Sequence, residues 1–198
     1  MGDLLHYERN LPHRLPPGSD IFLTFRLAGS LPASVLARLQ AQFSGGEPEN
    51  AANAYAQQRR YFGRFDELLD GTAHGPTWLR EAPVAAVVGA ALRHFHGSAY
   101  QLVCYCIMPN HVHAVLSLPE DAPPLTKTFQ RLKGYTALQA NKLLNRTGPF
   151  WQLETYDHII RSPEEMQRIV AYVLNNPVQA GLAESWDQWP HTYWPEPQ

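Results

Sequence analysis

The chain has 198 residues, of which 17% are charged and 44% hydrophobic, and its formal net charge at pH 7 is −2. Low charge combined with 5 Trp, 9 Tyr and 8 Phe excludes wholesale disorder, and a chain of this length buries a core without disulfide or metal staples. Its longest nearly apolar run, Ala82 to Leu92, is far shorter than the about 20 residues that cross a bilayer.

Near the N-terminus, Asp3 and the absence of a sustained apolar run argue against a secretory signal, and His6 breaks the myristoylation pattern. The expectation is a cytoplasmic protein without membrane association. The segment Asp20–Leu27, rich in β-branched and aromatic residues and preceded by Pro16-Pro17-Gly18, predicts a first strand. Two helices follow, over Pro32–Phe43 and Glu49–Leu69, separated by Gly45-Gly46 and closed by Gly71–Pro76. Pro83–Phe95 predicts a third helix, with proline in its first turn and Gly97 just past its end. Tyr100–Met108 and His111–Leu118 form a strand–turn–strand unit around Pro109-Asn110.

Thr126–Asn145 predicts a long amphipathic helix, with Leu125, Phe129, Leu132, Ala140, Leu143 and Leu144 on one side. Thr155–Arg161 is a fourth strand. Ser162-Pro163-Glu164-Glu165 then reads as a capping box, opening a helix that ends near Asn175 because Pro177 disfavours helical geometry before it. The order βαββαβ predicts an α+β, ferredoxin-like fold: an antiparallel four-stranded sheet with helices on one face, extra N-terminal helices and a C-terminal catalytic helix. The other face is expected to be open for a site. The chain reads as one domain over 1–198, with a core of about 20–177 and an aromatic tail over 178–198.

Charge is unevenly spread. Leu125–Phe150 holds five basic residues and no acidic one, while the remainder is acidic. Lys127, Arg131, Lys142 and Arg146 fall together on the predicted helix, with Tyr135 among them. This is either an anion-binding face that tracks a nucleic-acid backbone or an ordinary solvated face.

His111-Val112-His113 carries more chemistry. Residues two apart on a strand face the same way, about 6–7 Å apart, and two adjacent imidazoles suit a divalent metal. Two structural strand histidines are the plainer reading. Tyr172 and Asn176 share a helix face at i and i+4. They present a phenol, a possible nucleophile, beside an amide oxygen able to join two imidazoles around Mg²⁺ or Mn²⁺; a core aromatic and a helix C-cap are the alternative. Cys104 and Cys106, one residue apart, give no disulfide framework. With the two histidines they also permit a zinc site, depending on strand register.

The run Tyr105-Cys106-Ile107-Met108-Pro109-Asn110-His111-Val112-His113 resembles the HUH metal motif of single-tyrosine transposases, with Val112 at the bulky apolar position. Three further segments resemble the C-terminal half of the REP-associated tyrosine transposases: Phe150-Trp151-Gln152, Tyr156-Asp157-His158-Ile159-Ile160-Arg161, and Tyr172-Val173-Leu174-Asn175-Asn176-Pro177-Val178-Gln179-Ala180-Gly181-Leu182. The resemblance spans about Pro12 to Trp194. It implies a ferredoxin-like fold, with His111, His113 and Asn176 as ligands of Mg²⁺ or Mn²⁺ and Tyr172 as nucleophile. It also implies action on single-stranded DNA, often at imperfect hairpins, through a 5′-phosphotyrosine that a later 3′-OH can reverse. Lys127, Arg131, Tyr135, Lys142 and Arg146 are the expected DNA contacts, and a monomer or homodimer the expected state. An HUH nickase of replication-initiator or relaxase type and a non-catalytic DNA-binding protein are the rival readings. The acidity outside Leu125–Phe150 departs from the pattern expected of a DNA binder.

Overall fold

The structure is a computed structural model that describes residues 16–43, 50–71 and 75–195. Five strands form one antiparallel sheet: β1 (Asp20–Leu27), β2 (Gln101–Ile107), β3 (His111–Ser117), β4 (Trp151–Ile160) and β5 (Thr192–Tyr193), in the order β4-β1-β3-β2-β5. The helices are α1 (Ala33–Phe43), α2 (Ala51–Asp70), α3 (Ala82–His94), α4 (Leu125–Leu143) and α5 (Pro163–Gln179). The ferredoxin-like order of elements is therefore present, with β5 as a fifth strand that the sequence did not suggest.

Strand alternation sorts the core into two layers. Leu23 and Phe25 of β1 and Val112, Ala114 and Leu116 of β3 point to one face, where they pack with Val88 and Leu92 of α3 and Phe129 and Leu132 of α4. Phe22, Cys104, Cys106 and Val115 point to the other, against Val170, Val173 and Leu174 of α5. Each large side chain so buried contributes about 1.5–3 kcal/mol. A slip of one residue in β3 would drive His111 and His113 into the α3–α4 layer, so the apolar pattern fixes which face receives the histidines.

That second face is not open. α5 covers it, and α2 approaches beside it: Phe62 of α2 packs on Phe22, and Asn110 donates from its side chain to the Leu69 carbonyl at 2.9 Å. The C-terminal end of α2 that makes this contact is closed at Gly71, whose N–H donates to the Glu67 carbonyl at 3.1 Å, while the Asn50 side chain caps the other end by accepting from the Asn53 N–H.

Other boundaries differ for identifiable reasons. β4 begins at Trp151, four residues before the expected Thr155. The Trp151 ring packs 4.9 Å from Phe25 and its indole N–H donates to Thr136 at 2.9 Å, which ties this end of the strand to α4. α4 runs unbroken through Gly134, where an added Cβ would meet nothing within 4 Å. α5 continues past Asn175 to Gln179, through Pro177. Proline removes one N–H from the helix, but Asn176 and Pro177 are both buried, and the Ala180 and Leu182 amides still close onto the Asn176 and Pro177 carbonyls. Gly181, at φ +68°, then turns the chain out of the helix. The tail returns as β5 along the edge of β2, anchored by the Trp189 indole on the Ile107 carbonyl at 2.9 Å. The Gly45-Gly46 break lies outside the described residues, as do residues 72–74 of the expected Gly71–Pro76 stop.

Candidate active site

Both histidines are fully buried. Asn110 donates its amide N–H to Leu69, so its Oδ1 is free to accept, and it lies 2.7 Å from His111 Nδ1. The His111 proton is therefore on Nδ1, which leaves a lone pair on Nε2. His113 Nδ1 lies 2.8 Å from the Thr24 hydroxyl. The two Nε2 atoms meet at 2.9 Å. Burial depresses both imidazoles, to about 3, with mutual repulsion adding to the effect at His111. At neutral pH the pair is uncharged.

Two carboxylates of α2 face this pair. Asp66 lies 3.4 Å from His113 Nε2 and 3.9 Å from His111 Nε2, and Asp70 lies 3.7 Å from His111 Nε2. Burial raises Asp66 to about 7 despite the attraction of His111, and raises Asp70 to about 8, with repulsion from Asp66 adding to it. From α5, Asn176 sends its amide N–H to Asp70 at 3.3 Å. Both oxygens of Asp66, Asp70 Oδ1 and Asn176 Oδ1 are buried without a hydrogen-bond partner.

With the carboxyls ionised, as a bound cation would hold them, the centre is an assembly of acceptors with almost no donors. Orphaned buried acceptors each cost about 1–3 kcal/mol, and one cation among them would satisfy several at once. Among the described residues, Asp66, His111 and His113 form a group whose ligand atoms all lie within 4.8 Å of one another. Nitrogen and oxygen donors in this mixture fit a divalent metal. The thiols are outside the group. Cys106 pairs with His113 in register, but its sulfur faces Met108 and Thr192, and burial pushes both cysteines up to about 12.

Tyr172 stands next to the centre. Its ring packs 5.6 Å from that of His113 and edge-on to Phe22 at 6.2 Å. One turn on, Asn176 reaches Asp70, so the structure places Tyr172, Asn176, His111 and His113 together. It lines a cavity of about 370 Å³ between α2, β4 and α5. Sequence reasoning missed Asp66 and Asp70. Their signal was Phe65-Asp66-Glu67-Leu68-Leu69-Asp70, two acids at i and i+4 on one helix face. It also read Asn110 only as a turn residue.

The chain is similar to REP-associated tyrosine transposases. A curated Haemophilus influenzae protein named as one is 26% identical over 102 residues, covering 47% of this chain and 58% of that relative's length. A solved structure of a REP-associated tyrosine transposase bound to a REP hairpin shares the fold, with a TM-score of 0.55 over 97% of this chain and 82% of the other, at 16% identity. No family model matches.

The expected DNA contacts are placed elsewhere. α4 lies on the sheet face opposite the histidines, with Lys127, Arg131, Tyr135 and Lys142 exposed. Arg146 falls beyond the end of α4, its guanidinium 3.8 Å over the Trp78 ring and bonded to Asn141 and the Pro149 carbonyl. Lys133, counted in the basic run, is buried, and its ammonium donates to the carbonyls of Gln152, Leu153 and Glu154 and to the Thr155 hydroxyl. The exposed cationic face of α4 is therefore smaller than the sequence implies. No described helix is long and apolar enough to cross a membrane.

Proposed function

We propose that this chain is a metal-dependent single-stranded DNA transesterase of the REP-associated tyrosine transposase type, acting at hairpin ends. The observation that carries this reading is the acceptor-rich centre of His111, His113, Asp66, Asp70 and Asn176 packed against Tyr172. His111, His113, Asp66 and Asn176 would hold Mg²⁺ or Mn²⁺, whose bound charge would offset that of a phosphodiester and polarise its phosphorus. Asn110 and Thr24 orient the two imidazoles from behind. The Tyr172 oxygen attacks phosphorus in line and loses its proton. The P–O3′ bond breaks, leaving a 5′-phosphotyrosine and a 3′-hydroxyl. Because the new bond is still a phosphodiester, attack by another 3′-hydroxyl rejoins strands without added energy. Residues 1–198 are read as one functional unit, with the core over about 20–177.

The test is incubation with labelled single-stranded hairpin DNA and Mn²⁺. We expect a protein–DNA adduct that survives boiling in detergent and is absent in Tyr172→Phe. An adduct that persists in Tyr172→Phe would transfer the role to another tyrosine. Failure of the wild-type protein to cleave, with binding intact, would favour a non-catalytic binder.

A further inference from the structure

The cavity beside Tyr172 has two chemically different ends. At one, Asp70 leads into the histidine centre. At the other, Arg59 of α2 and Arg168 of α5 stand exposed at the rim. Among the described residues, neither guanidinium has a carboxylate within ion-pair distance, although Glu164 lies one turn before Arg168. Between the ends, Phe62 and Tyr156 form a stacked pair at 4.0 Å and 21° on the wall. The volume of about 370 Å³ lies near the lower end of the about 300–1,000 Å³ of small-ligand sites. Glu67 and Glu165 also line the cavity, but Glu165 is taken up by Tyr55, His158 and the Arg161 N–H, and Arg59 lies 6.0 Å over the Tyr55 ring without an ion pair among the described residues. An aromatic wall with two cations free of ion pairs at the rim and the Tyr172 phenol beside it is complementary to a single nucleotide, which offers a flat base and an anionic linkage.

Resting on the transesterase reading, we propose that this cavity seats the nucleotide next to the scissile phosphate, its base against Phe62 and Tyr156 and its outer phosphate between Arg59 and Arg168. The inserted helix α2 then serves both sides of the reaction, with Asp66 and Asp70 at its C-terminal end facing the histidines and Arg59 and Phe62 holding the strand. A paired base is stacked in its duplex and cannot enter, so the cavity selects unpaired DNA. The cationic surface of α4 lies across the sheet and does not contribute to this contact.

The experiment is fluorescence anisotropy with a labelled single-stranded oligonucleotide in EDTA, where no cleavage intervenes. Arg59→Ala combined with Arg168→Ala should make the log–log salt slope shallower by about 0.7, the share of one neutralised phosphate on a single strand. Phe62→Leu, which keeps apolar bulk but removes the π-face, should weaken binding about tenfold. It should not weaken binding to a strand made abasic at the nucleotide flanking the scissile phosphate. Wild-type slope in the double variant, together with wild-type affinity in Phe62→Leu, would overturn the proposal. An adduct formed by the wild type while both variants bind normally removes this subsite and leaves the transesterase reading standing. The expected binding changes without any adduct would keep the subsite and remove the chemistry. A wild type that binds no single strand would overturn both.

Discussion

Asp66 is the residue on which the centre turns, because it carries two orphaned oxygens in a buried site that also holds two neutral imidazoles. Without a cation its burial is a cost, and with one it would be a ligand. Asp66→Asn should therefore act in opposite directions in the two states. Thermal denaturation in EDTA should show the variant melting a few degrees higher than the wild type, since about 1 kcal/mol moves Tm by about 2–4 °C at this size. The rise in Tm on adding Mn²⁺ should shrink, because stabilisation by a ligand follows its affinity. By calorimetry, Mn²⁺ binding should weaken at least tenfold in Asp66→Asn and in His113→Ala, and less in Asn176→Ala, where a neutral amide is lost. Unchanged Mn²⁺ affinity in His113→Ala would remove the site. The pairs His111–His113 and Tyr172–Asn176 were legible because strand and helix periods place i, i+2 and i, i+4 residues on shared faces, and the family resemblance joined them into one site. Asp66 and Asp70 share a helix face in the same way, but no motif pointed to α2, and its tertiary approach to β3 is encoded by no local period.

At the scale of elements, α5 must be held firmly, since it carries both Tyr172 and Asn176. Its first turn is fixed twice. The Ser162 side chain accepts from the Glu165 N–H at 3.2 Å, and Glu165 is bonded by the Arg161 N–H at 2.8 Å, by His158 at 3.1 Å and by the Tyr55 hydroxyl. Tyr55 belongs to α2, so this carboxylate ties α2, β4 and α5 together. Burial raises its pKa, but these hydrogen bonds outweigh burial and hold the group at about 2. A depressed folded-state value means that the stabilisation is full above the ordinary carboxylate range, near 4.5, and is lost as pH falls through about 2. Glu165→Gln should thus destabilise the protein at pH 7 by on the order of 2 kcal/mol, less than the full shift implies because solvent screens part of the charge. The difference from wild type should narrow between about pH 4.5 and 2 in urea melts taken across that range. A constant difference would mean that the carboxylate charge is not what fastens the helices. Ser162→Ala should cost about 1 kcal/mol by the same measurement. The start of α5 was readable from its capping box, and its end was not: the rule that helices stop before proline gave way to the burial of Asn176 and Pro177, which keeps the Tyr172–Asn176 spacing within regular helix.

For the whole molecule, the sheet separates two cationic surfaces. Tyr172, Arg59 and Arg168 line the α2–α5 side, while Lys127, Arg131 and Lys142 are exposed on α4 behind it. β4 is the edge strand between them, and Lys133 binds α4 to the backbone of that edge. A short strand seated at Tyr172 cannot touch α4, whereas DNA that continues around the β4 edge can. Binding should therefore favour a hairpin with a single-stranded flank over a short strand, and both over a fully paired duplex, whose stiffness keeps its backbone from bending into the site. Replacing Lys127, Arg131 and Lys142 together by alanine separates the contributions. For a hairpin the log–log salt slope should become shallower by about 2 to 3, from three phosphates at about 0.7 each on the single-stranded flank or about 0.9 each on the paired stem. For a short oligonucleotide the slope should not change. Anisotropy titrations over a salt series measure both. An effect on the short strand equal to that on the hairpin would show that one continuous surface is engaged and that the sheet does not divide it. No effect on either would leave α4 as solvated surface, and the hairpin would then be held by the α2–α5 side alone.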